Sequence, residues 1–136
     1  MKYWLLKTEP STYSWNDLVK KKRDRWDGIR NHQARNNLAA MSVGDVALVY
    51  HSGDDKSVVG TARIAKAAYP EPGAEDPRWL AVDIEAVKAI ARPVTLAEMK
   101  KTKSLAEMAL LKQSRLSVVP LTKAEHDAIL KLAAAG

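Results

Sequence analysis

Residues 26–52 read WDGIRNHQARNNLAAMSVGDVALVYHS, and the rest of the chain is best understood from this stretch outward. Trp26 opens it among Asp27, Arg30, Asn31, His32, Gln33, Arg35 and Asn36, a density of hydrogen-bonding side chains that a packed core would bury only at high cost. The second half passes through a turn, Ser42-Val43-Gly44-Asp45, into the apolar run VALVY and ends at His51 and Ser52. Polar groups at a strand end, beside an aromatic, point to the rim of a pocket.

On the N-terminal side, Lys2 to Thr8 alternates as a first strand should and stops at Thr8-Glu9-Pro10, where proline cannot continue a ladder. Ser14 is placed to cap a short helix from Trp15 to about Lys21, with Asp17 near its positive end. Trp15, Leu18 and Val19 then share one side, so Trp15 reads first as a core residue, with ligand contact as its alternative role. Asp27-Gly28 makes a turn. Asn31 caps a second helix running through Met41, whose inner stripe is Ala34, Leu38 and Met41. Gln33, Asn36 and Asn37 lie off that stripe, and the helix start at Arg30 and Asn31 is suited to an anion.

On the C-terminal side, Ser57 to Ala67 is a third strand in which Gly60 marks a bulge or a close backbone approach. Tyr69 to Pro77, YPEPGAEDP, is a loop with no chemistry visible in its spacing, and Arg78 to Ile90 supplies a fourth strand. Thr95-x-x-Glu98, Ser104-x-x-Glu107 and Thr122-x-x-Glu125 each match a capping box, which predicts helices at about 96–101, 105–110 and 123–133. Leu116 to Pro120, introduced by Arg115, is a fifth strand. About five strands interleaved irregularly with short helices do not suit a doubly wound sheet. They predict an α+β fold, a small curved mixed sheet or partial barrel with helices around it, in one domain spanning 1–136.

Composition narrows the function classes. With no cysteine, the 136 residues hold no disulfide, no zinc–thiolate site and no cysteine nucleophile. No apolar run approaches a membrane span, and the first residues do not read as a signal peptide, so a cytoplasmic protein without a membrane partner is expected. The net charge of +6 is concentrated between Lys20 and Arg35, where Lys20, Lys21, Lys22, Arg23, Arg25, Arg30 and Arg35 face only Asp24 and Asp27. Either a solvated face or a phosphate-rich partner explains such a run. All eight aromatics are Trp or Tyr, rings that tolerate half-wet positions.

Catalytic signatures are weak. His32, His51 and His126 show no metal-binding spacing, a site at His32 and His51 lacks a third ligand, and no cofactor motif is present. Ser52 beside His51 is not a triad, because adjacent strand residues face opposite ways. Asp27, Asp54 and Asp55 could be assembled into a Mg²⁺ nuclease site, though a turn would carry two of them anyway. A small hydrolase acting on modified nucleotides is the alternative to a binding protein, and a binder of free nucleotide is a third reading.

The chain resembles the EVE domain family of the PUA-like superfamily, which also contains the YTH and ASCH domains. The matching stretches are YWLLKTEPSTYSWNDL, WDGIRNHQARNNLAAMSVGDVALVYHS, VVGTARI, AYPEP, RPVTLAEMK and RLSVVPLT, in family order over nearly the whole chain. Family members often carry an aromatic where His32 stands. The resemblance implies a PUA-like mixed barrel that binds DNA or RNA carrying a modified base, with a functional partner enzyme such as a nuclease as a further possibility and a monomer as the expected state. By similarity to YTH domains, where a flipped methylated base enters an aromatic cage, Trp26 matches the cage tryptophan. Lys7, Thr8 and Glu9 match the polar end of the first strand, and Tyr50, His51 and Ser52 the strand-end wall.

The expected mechanism follows. A nucleotide leaves its stack, its base lies on Trp26, and Glu9, Asn31, Ser52 and backbone amides read its edge. Unstacking costs a few kcal/mol and stacking on an aromatic returns about 1–3 kcal/mol. Phosphate contacts from Lys20, Lys21, Lys22, Arg23, Arg25, Arg30, Arg35 and Arg115 must supply the remainder. Trp15, Gly28, Gln33 and Asn36 are expected to divide between structure and ligand.

Overall fold

The computed structural model describes residues 1–135. Its elements in chain order are β1 (Tyr3–Thr8), α1 (Trp15–Lys21), β2 (Arg23–Trp26), α2 (His32–Ala39), β3 (Val46–His51), β4 (Ser57–Pro70), β5 (Leu80–Thr95), α3 (Leu96–Lys101), a 3₁₀ turn (Lys103–Leu105), α4 (Ala109–Lys112), β6 (Val118–Leu121) and α5 (Lys123–Ala134). Two aliphatic runs organise the sheet. β1 and β3 pair in parallel, Leu5 opposite Leu48 and Thr8 opposite His51, and the segment between them, with α1, β2 and α2, forms the long connection that a parallel pair requires.

All six strands form one sheet in the order β2-β5-β4-β3-β1-β6. The architecture is the α+β one expected, with β2 as a sixth strand. The long strands β4 and β5 pair antiparallel, and their register shifts repeatedly, between Val58 and Gly60 first. Bulges of this kind bend a strand and raise its twist, which curls the sheet toward a barrel. β2 and β6 remain its two edges, so the curl stays open.

Local signals explain most elements. Ser14, Thr95 and Thr122 each accept a hydrogen bond from the backbone N–H three residues ahead, and the acid there, Asp17, Glu98 or Glu125, accepts in turn from the N–H of the cap residue. Asn31 caps α2 through Ala34 N–H, although the helix ends at Ala39 rather than Met41. The second of the three predicted boxes, at Ser104, does not form: the predicted 105–110 helix is replaced by the 3₁₀ turn and α4, neither of which has a side-chain cap. Leu105 and Met108 are fully buried at that point, so packing overrides the local pattern.

One end of the sheet is locked by Asp45. It is buried, with 3% of its surface exposed, and accepts from Lys2 N–H (3.0 Å), Ser42 N–H (2.9 Å) and Trp4 Nε1–H (3.1 Å). Burial works against its charge, and the Ser42 and Lys2 amides with the Trp4 indole outweigh it, holding the carboxyl below its ordinary range. At the middle of the sheet, Trp15 lies on Gly60, where an added Cβ would fall 2.5 Å from the indole. Gly60 is thus the close approach, and the register skips its neighbour Val59 on both sides, so the bulge adjoins it.

Candidate nucleic-acid interface

The ends of β1 and β2, with the loops that follow them, enclose a cavity of about 870 Å³. That is within the range of small-ligand sites, roughly 300–1,000 Å³. Trp26 lines it and is 7% exposed, and the candidates Lys7, Thr8, Glu9 and Asn31 also line it, as does Gly28. Two lining residues that the sequence reading did not single out complete the wall. Tyr13 meets Trp26 edge-on, ring centroids 5.9 Å apart at 84°, and its hydroxyl donates to Asp24 Oδ2 at 2.6 Å. Asp24 and Trp26 are two residues apart on β2, so strand alternation gives them the same face. Asp24 also accepts from Arg25 N–H (2.8 Å) and pairs with Lys21 (3.3 Å). Burial opposes its charge, but the Tyr13 hydroxyl, the Arg25 amide and Lys21 prevail and keep its pKa low. Burial and the same carboxylate push the Tyr13 phenol up, so it stays a donor.

Tyr50, His51 and Ser52 are not brought into the lining. Parallel pairing sets His51 beside Thr8, and the first turn of α1 covers it: His51 Nε2 accepts from Trp15 N–H at 3.0 Å. A backbone amide can only donate, so Nε2 carries no proton and Nδ1–H is left to donate to Asp55 at 3.0 Å. The imidazole is therefore a tie between α1, β3 and the turn that follows. Tyr50 is buried, 6.0 Å from the Lys7 ammonium, and Ser52 N–H donates to the Thr8 carbonyl at 2.9 Å. Trp15 takes the core role, on Gly60.

The cations divide into two groups. Lys21, Arg25 and Arg30 line the cavity, and each is matched by an acid: Asp24, Asp27 at 2.8 Å and Glu71 at 2.6 Å. Lys7 Nζ donates to the Ser114 carbonyl at 2.7 Å, and burial lowers its pKa. Lys20, Lys22, Arg23 and Arg115 are exposed and lie outside the lining, Arg23 near Asp83 and Arg115 between Ser114 and the lining residue Ser117. Arg35, Gln33 and Asn36 lie on α2 outside the lining, Arg35 bonded to Asn36 at 2.8 Å. The neighbouring Asn37 is structural, donating to the Val118 carbonyl at 2.8 Å.

The loop that showed no chemistry in its spacing holds the cavity rim. Glu71 accepts from Gly28 N–H at 2.6 Å and from both guanidinium nitrogens of Arg30, at 3.1 and 2.6 Å, which keep it ionised. Gly28 reaches that bond with φ +77, a conformation that favours glycine. At the far end of the loop, Trp79 stacks on His32 with ring centroids 5.1 Å apart, and the Arg30 guanidinium lies 5.4 Å from the same indole. Among the described residues, no group of three His, Asp or Glu could hold a metal.

The EVE domain model matches residues 2–132. The chain belongs to the EVE domain family. Among curated relatives, mouse thymocyte nuclear protein 1 is 36% identical over 96% of this chain and 73% of its own length. The Rhodopseudomonas palustris protein Rpa0253 is 44% identical, with a TM-score of 0.94 over 99% of this chain and 94% of its own. Human THYN1 protein, solved in complex with 5-methylcytosine containing DNA, is 34% identical, with a TM-score of 0.90 over 98% of each chain. These relatives overturn the cytoplasmic expectation: the mouse and human members of the EVE family are named as nuclear proteins, and a missing signal peptide does not separate nucleus from cytoplasm.

Proposed function

We propose that this chain reads DNA carrying a modified cytosine, acting as a single monomeric domain without catalysis. The base leaves its stack, enters the cavity and lies against Trp26. The observation that carries this reading is the cavity, walled by an aromatic pair and by polar groups with open hydrogen-bonding capacity at the strand ends. The human relative bound to 5-methylcytosine containing DNA, similar along nearly the whole chain, supports it. The hydrolase alternative drew on His51 or an acid: His51 is committed to Trp15 and Asp55 outside the cavity, and of Asp27, Asp54 and Asp55 the lining includes Asp27 alone.

Lys21, Arg25 and Arg30 in the lining are already matched by acids, so the phosphate contacts fall chiefly to exposed cations next to lining residues, Lys20 beside Lys21 and Arg115 two residues before Ser117. A methyl group in an apolar niche is worth roughly 1–3 kcal/mol, which sets the preference for methylated over plain cytosine at about ten- to two-hundredfold.

The test is fluorescence polarisation with single- and double-stranded DNA, and matching RNA, carrying plain, methylated or hydroxymethylated cytosine or N6-methyladenine, at two salt concentrations. Methylated-cytosine DNA should bind preferentially, all binding should weaken steeply with salt, and the ligands should be recovered unchanged. In Trp26→Ala the preference should vanish while the salt-dependent background persists. A folded Trp26→Ala protein that keeps the preference places the base elsewhere.

A further inference from the structure

5-Methylcytosine and thymine have the same ring and the same 5-methyl group. A stacking wall and a methyl niche receive them alike, although any DNA offers far more thymine. They differ at the edge: cytosine presents a donor at its 4-amino group and an acceptor at N3, thymine an acceptor at O4 and a donor at N3–H. A reader of modified cytosine must therefore hold an acceptor where the amine arrives.

We infer that Asp24 is this acceptor, that Tyr13 positions it, and that the pair makes the cavity selective for a pyrimidine bearing an exocyclic amine over thymine or uracil. The inference rests on the base-reading function proposed above. Three carboxylates line the cavity, and their surroundings separate them. Asp27 is held by Arg25, and Glu9 is exposed and bonded to Ser11. Asp24 is the most sheltered, its side chain 23% exposed, on the same strand face as Trp26. The Tyr13 hydroxyl and the Lys21 ammonium on Oδ2 and the Arg25 amide on Oδ1 fix the carboxylate plane and leave a lone pair on Oδ1 for the amine. Because the same Tyr13 ring abuts Trp26, the stacking wall and the edge acceptor are held by one side chain.

Asn31 supplies the complementary donor. Its Oδ1 is taken by Ala34 N–H at 2.9 Å, which fixes the amide and leaves the NH₂ end for a ligand in the cavity. An amide donor facing N3 and a carboxylate facing the 4-amino group match cytosine. Thymine places a donor against the amide and a carbonyl oxygen against the carboxylate.

The experiment compares oligonucleotides identical except for one central base: 5-methylcytosine, thymine, or 5-methylpyrimidin-2-one, which keeps N3 and the methyl group but lacks the amine. With the unaltered protein, both substitutes should bind about ten- to a hundredfold more weakly than 5-methylcytosine. Asp24→Asn still accepts from Tyr13 but can turn an NH₂ toward the ligand, and should reduce the 5-methylcytosine over thymine ratio at least about tenfold. Tyr13→Phe should reduce it less while keeping the stacking wall. If the unaltered protein binds 5-methylpyrimidin-2-one as well as 5-methylcytosine, the Asp24 assignment is overturned whatever the variants do. If it prefers 5-methylcytosine to neither plain cytosine nor thymine, the reading function itself fails. If the preference over thymine survives intact in a folded Asp24→Asn protein, the function stands and another group is the acceptor.

Discussion

Trp15 and Trp26 are buried to nearly the same degree, 6% and 7% exposed, yet their surroundings differ in kind. Trp15 is held tightly: Gly60 lies against its ring with no room for a methyl group, its backbone N–H is taken by His51, and the space it still borders, about 440 Å³ beside Asn16, Val19 and Val87, is about half that beside Trp26. Trp26 is braced by the edge of Tyr13 and still borders a cavity of about 870 Å³. Burial does not separate a core tryptophan from a binding one. What separates them is what the ring meets: for Trp15 a strand backbone packed onto it at Gly60, for Trp26 the larger cavity with Lys7, Asp24 and Asn31 in its wall.

The largest expected effect tests that contrast directly. Trp15→Ala should lose about 3–5 kcal/mol of unfolding free energy in urea denaturation, the cost of emptying a filled site. Trp26→Ala should lose less, since its ring already borders the larger cavity and has no strand backbone packed on it as Trp15 has at Gly60, and should surrender about 1–3 kcal/mol of binding free energy to a modified oligonucleotide instead. Equal stability losses in the two variants would break the comparison. Gly60→Ala approaches the same site from the other side. Its methyl group overpacks the indole, and the expected cost is about 1–3 kcal/mol of stability with unchanged affinity wherever the protein remains folded.

The sequence disclosed the part of this contrast that depends on local pattern. Alternation located β1, an apolar run after a turn located β3, capping boxes located α3 and α5, and Gly60 stood out because glycine inside a strand needs a reason. β2 was hidden because RDRW lies within a basic run, where charge masks a four-residue alternation. That cost the reading Asp24, although its spacing from Trp26 was visible once the segment was taken as a strand. His51 misled for the opposite reason: a polar residue at a strand end resembles a site, and only the arrival of the Trp15 amide from α1 shows it to be a tie. Glu71 and Trp79 carried no local signal at all, because their partners Gly28, Arg30 and His32 lie more than forty residues away.

Asp45 and Asp24 repeat the contrast among carboxylates. Both are held ionised by an aromatic donor and a backbone amide, but Asp45 is 3% exposed with its bonds shared among three donors, whereas Asp24 faces the cavity. The folded-state pKa of Asp45 is depressed, so its contribution to stability is present above the unfolded value of ~3.9 and is lost as pH falls through the folded one. Urea midpoints should be flat from neutral pH to about pH 5 and fall below about pH 4. Asp45→Asn should cost about 1–2 kcal/mol at pH 7 and make that acid decline shallower. Because Glu98 beside Arg92 and Asp76 beside Arg78 are also lowered, each to about 2, some decline should remain in the variant.

The smallest effect separates two arginines. Arg30 is gripped by Glu71 beside Trp79, while Arg115 is exposed next to the Ser114 carbonyl that holds Lys7. A cation that already has a carboxylate partner releases few additional counterions when a phosphate arrives. An unpaired one contributes its full share. Arg115→Gln should therefore flatten the dependence of log affinity on log salt by about 0.7 for single-stranded DNA, with the preference among bases unchanged. Arg30→Gln should change that slope less, yet weaken the preference for the modified base, because it frees Glu71 and loosens the Gly28 rim of the cavity. If Arg30→Gln instead flattens the slope as much as Arg115→Gln and leaves base preference intact, Arg30 exchanges Glu71 for phosphate on binding, and the lining cations belong with the exposed ones.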